Sequence, residues 1–295
     1  MPLNHSISIS LCNIKLVLKL ALILLVFGLI VFAVITAITG PIFDGIMDII
    51  KNTEVDASAF INHPISTIKT EFLDKIVSFL QTYNVGAVIW YSILTFFIVN
   101  FFVILTVLPV TKVLYNKMTS GYDIGIFNAF ISTGFQNLLL TFIIAVFNVA
   151  VTIGLAVGFG ALVYLSFQAK IYLLLPFLFL LYIAALSAKT CLYSQWFPEI
   201  CATQEKNIFI GIKNALRGTF KKFRKNFLCY FTINVIWVAV ICSTFLLSFG
   251  AIPLITLPFF IVLRSCLGLT LNFSFHQKKY FVNNGETIYN PTKLF

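Results

Sequence analysis

The side chains able to do chemistry in this 295-residue chain are few and far apart. His5, His63 and His276 stand near the water-exposed ends of apolar runs, and the acids gather outside those runs or at their edges. No spacing assembles a nucleophile, a base and an orienting group. Glycine-rich phosphate loops are missing as well. The expectation is a non-enzyme with no catalytic residue. Cys12, Cys191, Cys201, Cys229, Cys242 and Cys266 show no C-x-x-C spacing, so neither a zinc site nor a disulfide framework is indicated, and no cofactor is implied.

Two groups remain. The first is polar residues inside apolar runs. Arg264 is the one unambiguous charge there, about 12 residues into its run and so near 18 Å along a helix. Intramembrane charges are expensive and point to function by default. The plain expectation is that Arg264 snorkels toward headgroups or caps carbonyls freed by Pro253 and Pro258. Asn148 and Asn234, with Asn100, Asn137, Asn272 and Gln136, are expected to hydrogen-bond between helices.

The second group is cationic. Ile212, Leu216, Phe220, Phe223 and Phe227 recur at helical spacing, and Lys213, Arg217, Lys221 and Arg224 repeat it one position later, widened by Lys222 and Lys225. The pattern predicts an amphipathic helix, with Thr203 as N-cap and Glu205 early, lying in the inner membrane interface. Its expected partners are anionic lipids of that leaflet or another membrane protein. Insertion by the positive-inside rule alone is the plain alternative, and nucleic acid is not expected, because no reading module accompanies the charges.

The elements that carry these residues are hydrophobic. The chain is 60% hydrophobic and 10% charged, against roughly 45–50% and about 25% in soluble domains, which excludes a soluble enzyme. A crossing needs about 20 apolar residues, and six runs qualify: 20–40, 86–110, 135–160, 171–190, 228–248 and 252–273. The first is expected to be an uncleaved anchor rather than a secretory signal, being longer than a signal core. The third extends toward Phe167 and is expected to be one tilted helix. Gly154 and Gly158 form a G-x-x-x-G step in it, expected to pack within the bundle. The chain therefore reads as one integral membrane domain over 1–295.

Orientation follows from lysine and arginine placement. The loop 41–85 has three lysines against six acids and faces out; Ile65, Ile68, Phe72, Ile76, Phe79, Leu80 and Tyr83 give it an amphipathic helical pattern. The segment from Lys189 to Asn226 has eight cations against two acids, a net charge of +6, and faces in. Both termini, including the tail 274–295 with its Asn283-Asn284-Gly285 turn signal, are expected in the cytoplasm of a cell, with a bacterial origin suggested.

The inward segments 111–134 and 196–227 resemble each other. Gly125-Ile126-Phe127-Asn128-Ala129-Phe130 returns 86 residues later as Gly211-Ile212-Lys213-Asn214-Ala215-Leu216. Thr133 answers Thr219, and Asn137-Leu138 answer Asn226-Phe227 if three residues are inserted. Asn148 and Asn234 are also 86 apart, although that insertion would put them out of register. Each copy lies between an outward-to-inward and an inward-to-outward span, so the repeat would be parallel.

The run Trp196-Phe197-Pro198-Glu199-Ile200, followed by Ile212 through Phe227, resembles the elbow of uncharacterised bacterial six-span proteins related to the glycerophosphodiester phosphodiesterase membrane domain. The resemblance covers the C-terminal 110 residues or so. It implies architecture and carries over no catalytic residue.

The sequence thus predicts an all-α polytopic membrane protein of about six transmembrane helices, with interfacial elbows. The expected role is a non-enzymatic scaffold or accessory subunit engaging anionic lipid or a partner. The alternative is a transporter or permease-like component with a path between spans.

Overall fold

The computed structural model describes residues 2–52, 85–203, 207–248, 251–278, 280–282 and 288–289. The outer amphipathic pattern over 65–83, Glu205 and the Asn283-Asn284-Gly285 turn lie outside the described residues.

Among the described residues the protein is all-helical apart from one short strand pair. The helices are α1 (Pro2–Cys12), α2 (Ile14–Asn52), α3 (Val85–Leu105), α4 (Val107–Ser120), α5 (Ile126–Gln168), α6 (Leu174–Ser194), α7 (Trp196–Thr203), α8 (Ile208–Lys221), α9 (Phe223–Ser248) and α10 (Ala251–Phe275). Strands β1 (Tyr280–Phe281) and β2 (Ile288–Tyr289) pair antiparallel, Tyr280 opposite Tyr289. Six helical stretches are long and apolar enough to cross a bilayer: Ile14–Ala37, Gly86–Ser120, Ile126–Gln168, Leu174–Ala202, Phe223–Ser243 and Thr256–Phe275. This is a multi-pass membrane protein.

The contacts divide the chain into two compact units, Val26–Val99 and the remainder. In the first, the described residues form the later part of α2 and most of α3. Leu29, Phe32, Ile89 and Trp90 are exposed there, the outward apolar surface that lipid, not water, solvates.

The second unit is built around α10. One face of it, Ile261, Val262, Cys266, Leu269 and Phe273, packs in a core with Leu16, Leu20, Val110, Leu114 and Ala129. The opposite face, Phe260, Leu263, Leu267 and Leu271, packs with Cys191, Tyr230 and Ile233. A helix apolar all round is a core helix, and residues 260–274 are all buried except Arg264. Helix α1 is fixed to it by Ser6 Oγ and Thr270 Oγ1, 3.0 Å apart.

Two joints shape the rest. Helix α3 passes into α4 through Thr106 (φ −81°, ψ −18°), and α6 into α7 through Gln195 (φ −81°, ψ −11°). Each following helix has proline at its third position, Pro109 and Pro198, where no helical N–H is lost. Helix α5 breaks at Gly134, whose φ of 37° and ψ of −124° no side-chain-bearing residue adopts cheaply. That break separates the turn 126–133 from the crossing.

Candidate functional site

The six cations of the basic segment do not share one continuous helix. Helix α8 ends at Lys221, and Lys222, at φ −122° and ψ 31°, separates it from α9. The stripe from Ile212 to Phe227 therefore belongs to two helices. The helix start is corrected too: Asn207, not Thr203, is the N-cap, its side chain accepting from the Phe209 N–H at 3.1 Å, and Thr203 ends α7.

Helix α8 has three faces. The inward one is small: Ile208, Gly211, Ala215 and Thr219 are buried. A Cβ on Gly211 would stand 3.0 Å from Ile200 Cγ1, and one on Gly218 3.4 Å from the Phe275 ring, so the helix lies close on α7 and the end of α10. The expected apolar stripe is therefore not the packed one. Ile212 and Leu216 are half-buried and Phe209 and Phe220 exposed, next to the exposed row Lys213, Arg217 and Lys221. These residues line one shallow groove. A second, around the Lys222 break, is lined by Phe220, Lys221, Lys222, Phe223, Arg224, Lys225 and Leu228. From it, Phe220 of α8 and Phe223, Phe227 and Phe231 of α9 form a row with near-parallel rings, centroids 6.4, 5.9 and 5.8 Å apart.

Beneath the elbow lies an acid that sequence spacing does not mark. Glu199 is buried, and its Oε2 accepts from Asn272 Nδ2 at 2.7 Å and meets His276 Nε2 at 2.9 Å. His276 is thus drawn to Glu199 by a hydrogen-bond contact between the two side chains. Gln195, Thr219, Lys222 and Asn226 complete a small polar cavity there, of one-water size, in which Thr219 Oγ1 and Asn272 Oδ1 have no protein partner. Lys222 also donates to the Ser274 carbonyl at 3.4 Å. The Asn272–Glu199–His276 set ties α7 to α10, and its members are 73 and 77 residues apart, a separation without periodic signal.

The polar residues of the spans form inter-helix pairs. Asn148 Nδ2 donates to Asn100 Oδ1 at 2.6 Å, and Asn137 Nδ2 to the Leu105 carbonyl at 3.0 Å. Asn234 Nδ2 donates to Ser187 Oγ at 2.9 Å, and Arg264 Nη2 to Asn234 Oδ1 at 2.7 Å. Arg264 thus bonds a side-chain amide of a neighbouring helix. The amide of Asn234 is its partner, joining α6, α9 and α10. Lys189, assigned above to an inward loop, is buried within α6 and donates to Thr152 Oγ1 of α5 at 2.6 Å.

One further placement differs from expectation. Gly154 and Gly158 are exposed, and a Cβ on either would meet nothing within 4 Å, so among the described residues this G-x-x-x-G step makes no close helix contact. In the inward segment 111–134, Lys112 and Lys117 sit on helix α4, donating to Ser132 Oγ and Asn13 Oδ1 at 2.9 and 2.8 Å. All six cysteines are free thiols, and among the described residues no cluster of metal-ligating side chains occurs. Comparison of the chain with protein-family models, curated proteins and solved structures gives no match.

Proposed function

We propose that this protein is a non-enzymatic membrane scaffold or accessory subunit that engages anionic lipid through its second elbow, α8 and the start of α9. One observation carries the reading: the exposed row Lys213, Arg217, Lys221 runs beside the outward Phe209, Ile212, Leu216 and Phe220, on a helix whose opposite face is packed against α7. Such a helix lies in the interface with rings in the acyl boundary and cations on the headgroups, each cation near the surface adding about 1 kcal/mol. The phenylalanine row of α9 extends the apolar side into the crossing. On this reading the elbow faces the anionic inner leaflet of a bacterial cell membrane, with both termini in the cytoplasm.

We further propose that the two elbows descend from one duplicated unit. The matching order supports it: long helix, one-residue joint, short helix with proline third, elbow turn, break, long helix. Asn148 and Asn234 each bond the preceding crossing, at Asn100 and Ser187.

The test is lipid retention by the full-length protein, extracted from membranes and weighed intact with its bound lipids. K213Q/R217Q/K221Q should retain several-fold less anionic lipid while zwitterionic lipid is unchanged. Equal retention would overturn the lipid role and leave a protein partner or insertion as the elbow's task. A transporter-like role is the second reading, favoured by one feature: Arg264 retains surface access at mid-helix, in a stretch otherwise buried.

A further inference from the structure

The second elbow carries two grooves, and they meet. The groove along α8 holds Lys213, Arg217 and Lys221, and the groove around the Lys222 break holds Lys221, Lys222, Arg224 and Lys225. Phe220 and Lys221 line both, so these two side chains form the wall between them. Every lining residue of either groove is a cation or a hydrophobe, with neither an acid nor a neutral polar side chain among them. Among the described residues, no ion pair involves Lys213, Arg217, Lys221 or Arg224. The wall also gathers charge: Lys221 Nζ and Lys222 Nζ each lie 5.9 Å from the centroid of the Phe275 ring at the end of α10. A ring face attracts a cation, but two cations drawn to one ring repel each other, and an anion between them relieves that repulsion.

The composition of the grooves selects the occupant. A free phosphate or an acidic peptide would find cations there but no use for the apolar half of each lining, whereas a charged head on an apolar body matches both halves. Beyond the second groove the rings of Phe223, Phe227 and Phe231 continue at 5.9 and 5.8 Å between centroids, along a helix long and apolar enough to cross a bilayer. That row is a track for an acyl chain. The number of grooves selects the head. Lys221 is one turn, about 6 Å, beyond Arg217, so anions seated on either side of the shared wall are close enough for a single glycerol to join them.

We propose that the two grooves together bind one phospholipid whose head carries two phosphates joined by a glycerol. One phosphate sits in each groove with Lys221 between them, and an acyl chain lies along the Phe223, Phe227 and Phe231 row. The inference rests on the elbow's engagement of anionic lipid and adds to it the class of lipid and a stoichiometry of one per chain.

The experiment weighs the full-length protein intact in detergent while it is titrated, in separate arms, with three lipids of matched oleoyl chains. They are diphosphatidylglycerol, with two phosphates, phosphatidylglycerol, with one, and zwitterionic phosphatidylcholine. The two-phosphate lipid should bind one per chain and roughly tenfold or more tighter than the one-phosphate lipid, because its second phosphate meets its groove intramolecularly. K213Q/R217Q strips the first groove and R224Q/K225Q the second, and either should cut that advantage to about twofold, the residue of having two equivalent phosphates for one groove. K15Q/K19Q removes the same charge from exposed positions on α2 and should leave the advantage intact. If R224Q/K225Q does not fold, R224Q alone, at an exposed position, decides. The proposal is overturned if the two anionic lipids bind alike, if either groove variant keeps the full advantage, or if K15Q/K19Q loses it too. In each of those cases a parent that still prefers phosphatidylglycerol to phosphatidylcholine leaves the elbow's lipid role standing; a parent without that preference overturns both.

Discussion

The two elbows occupy matching places in the chain and offer opposite surfaces. The first, the turn 126–133 before the Gly134 break, exposes Phe127 and Ile131, with Phe135 just beyond the break, and has no cation. The second, α8, exposes Phe209 and Phe220 as well but sets Lys213, Arg217 and Lys221 beside them. Their supports differ too. The first is tied by the exposed Lys112–Ser132 bond and the Asn137–Leu105 bond. The second rests on a buried acid, Glu199, held by Asn272 and His276. Ile126 and Ala129 seat the first elbow in the apolar core, whereas the second adds a buried polar tie that can hold its charges at a set height.

The supports give the sharpest way to break this contrast. Glu199→Ala leaves Asn272 and His276 without their buried acceptor and should cost about 1–3 kcal/mol, read as a fall in the melting temperature of the full chain. Lys112→Ala, at the exposed tie of the first elbow, should cost less than about 0.5 kcal/mol. Equal losses would mean that the two elbows are held alike.

Next comes the contact beneath the second elbow. Gly268 of α10 faces α7, and a Cβ there would stand 2.9 Å from Pro198 Cγ and 3.3 Å from the Ser194 carbonyl. Gly268→Ala should therefore destabilise by about 1–3 kcal/mol through overpacking, again as a melting shift. A neutral result would show that α7 yields easily and that the elbow's seat is soft.

The surfaces supply a smaller effect. Replacing Lys213, Arg217 or Lys221 singly by glutamine should weaken preference for anionic over zwitterionic vesicles by about 1 kcal/mol each, roughly fivefold. Phe127→Ser and Ile131→Ser in the first elbow should leave that preference unchanged. Should the first-elbow changes alter it instead, the division of labour between the two would be wrong.

The smallest effect lies where neither elbow reaches. His5 Nδ1 meets the Tyr280 hydroxyl at 2.8 Å, and burial of the imidazole lowers its pKa from the ordinary 6.5. Protonation therefore favours the unfolded form. The contribution is present above pH 6.5 and is lost as pH falls through the lowered value. Melting between pH 7.5 and 5 should decline slightly more in the parent than in His5→Gln, and identical profiles would remove His5 from the account.

What the sequence made legible was whatever repeats along it. Six crossings follow from unbroken apolar length, and the cations of α8 follow from a spacing of four. The break at Lys222 is hidden because the three- and four-residue intervals of Phe220, Phe223 and Phe227 run through it, with neither glycine nor proline to mark the stop. Lys189 was misplaced because counting charges near a span end cannot say where α6 stops, and α6 runs on to Ser194. The Glu199–Asn272–His276 set was invisible for a plainer reason: contacts between α7 and α10 depend on three-dimensional closure, and one sequence contains no record of it.

The flush seating of α8 has one more consequence. Because glycine, alanine and threonine turn inward, the helix has no thick layer of side chains on which to roll, and Lys213, Arg217 and Lys221 project one turn apart, about 6 Å, like the teeth of a comb. A comb with fixed pitch does not regroup when a tooth is lost. Its grip on a charged surface should weaken in even steps, tooth by tooth, rather than collapse at once.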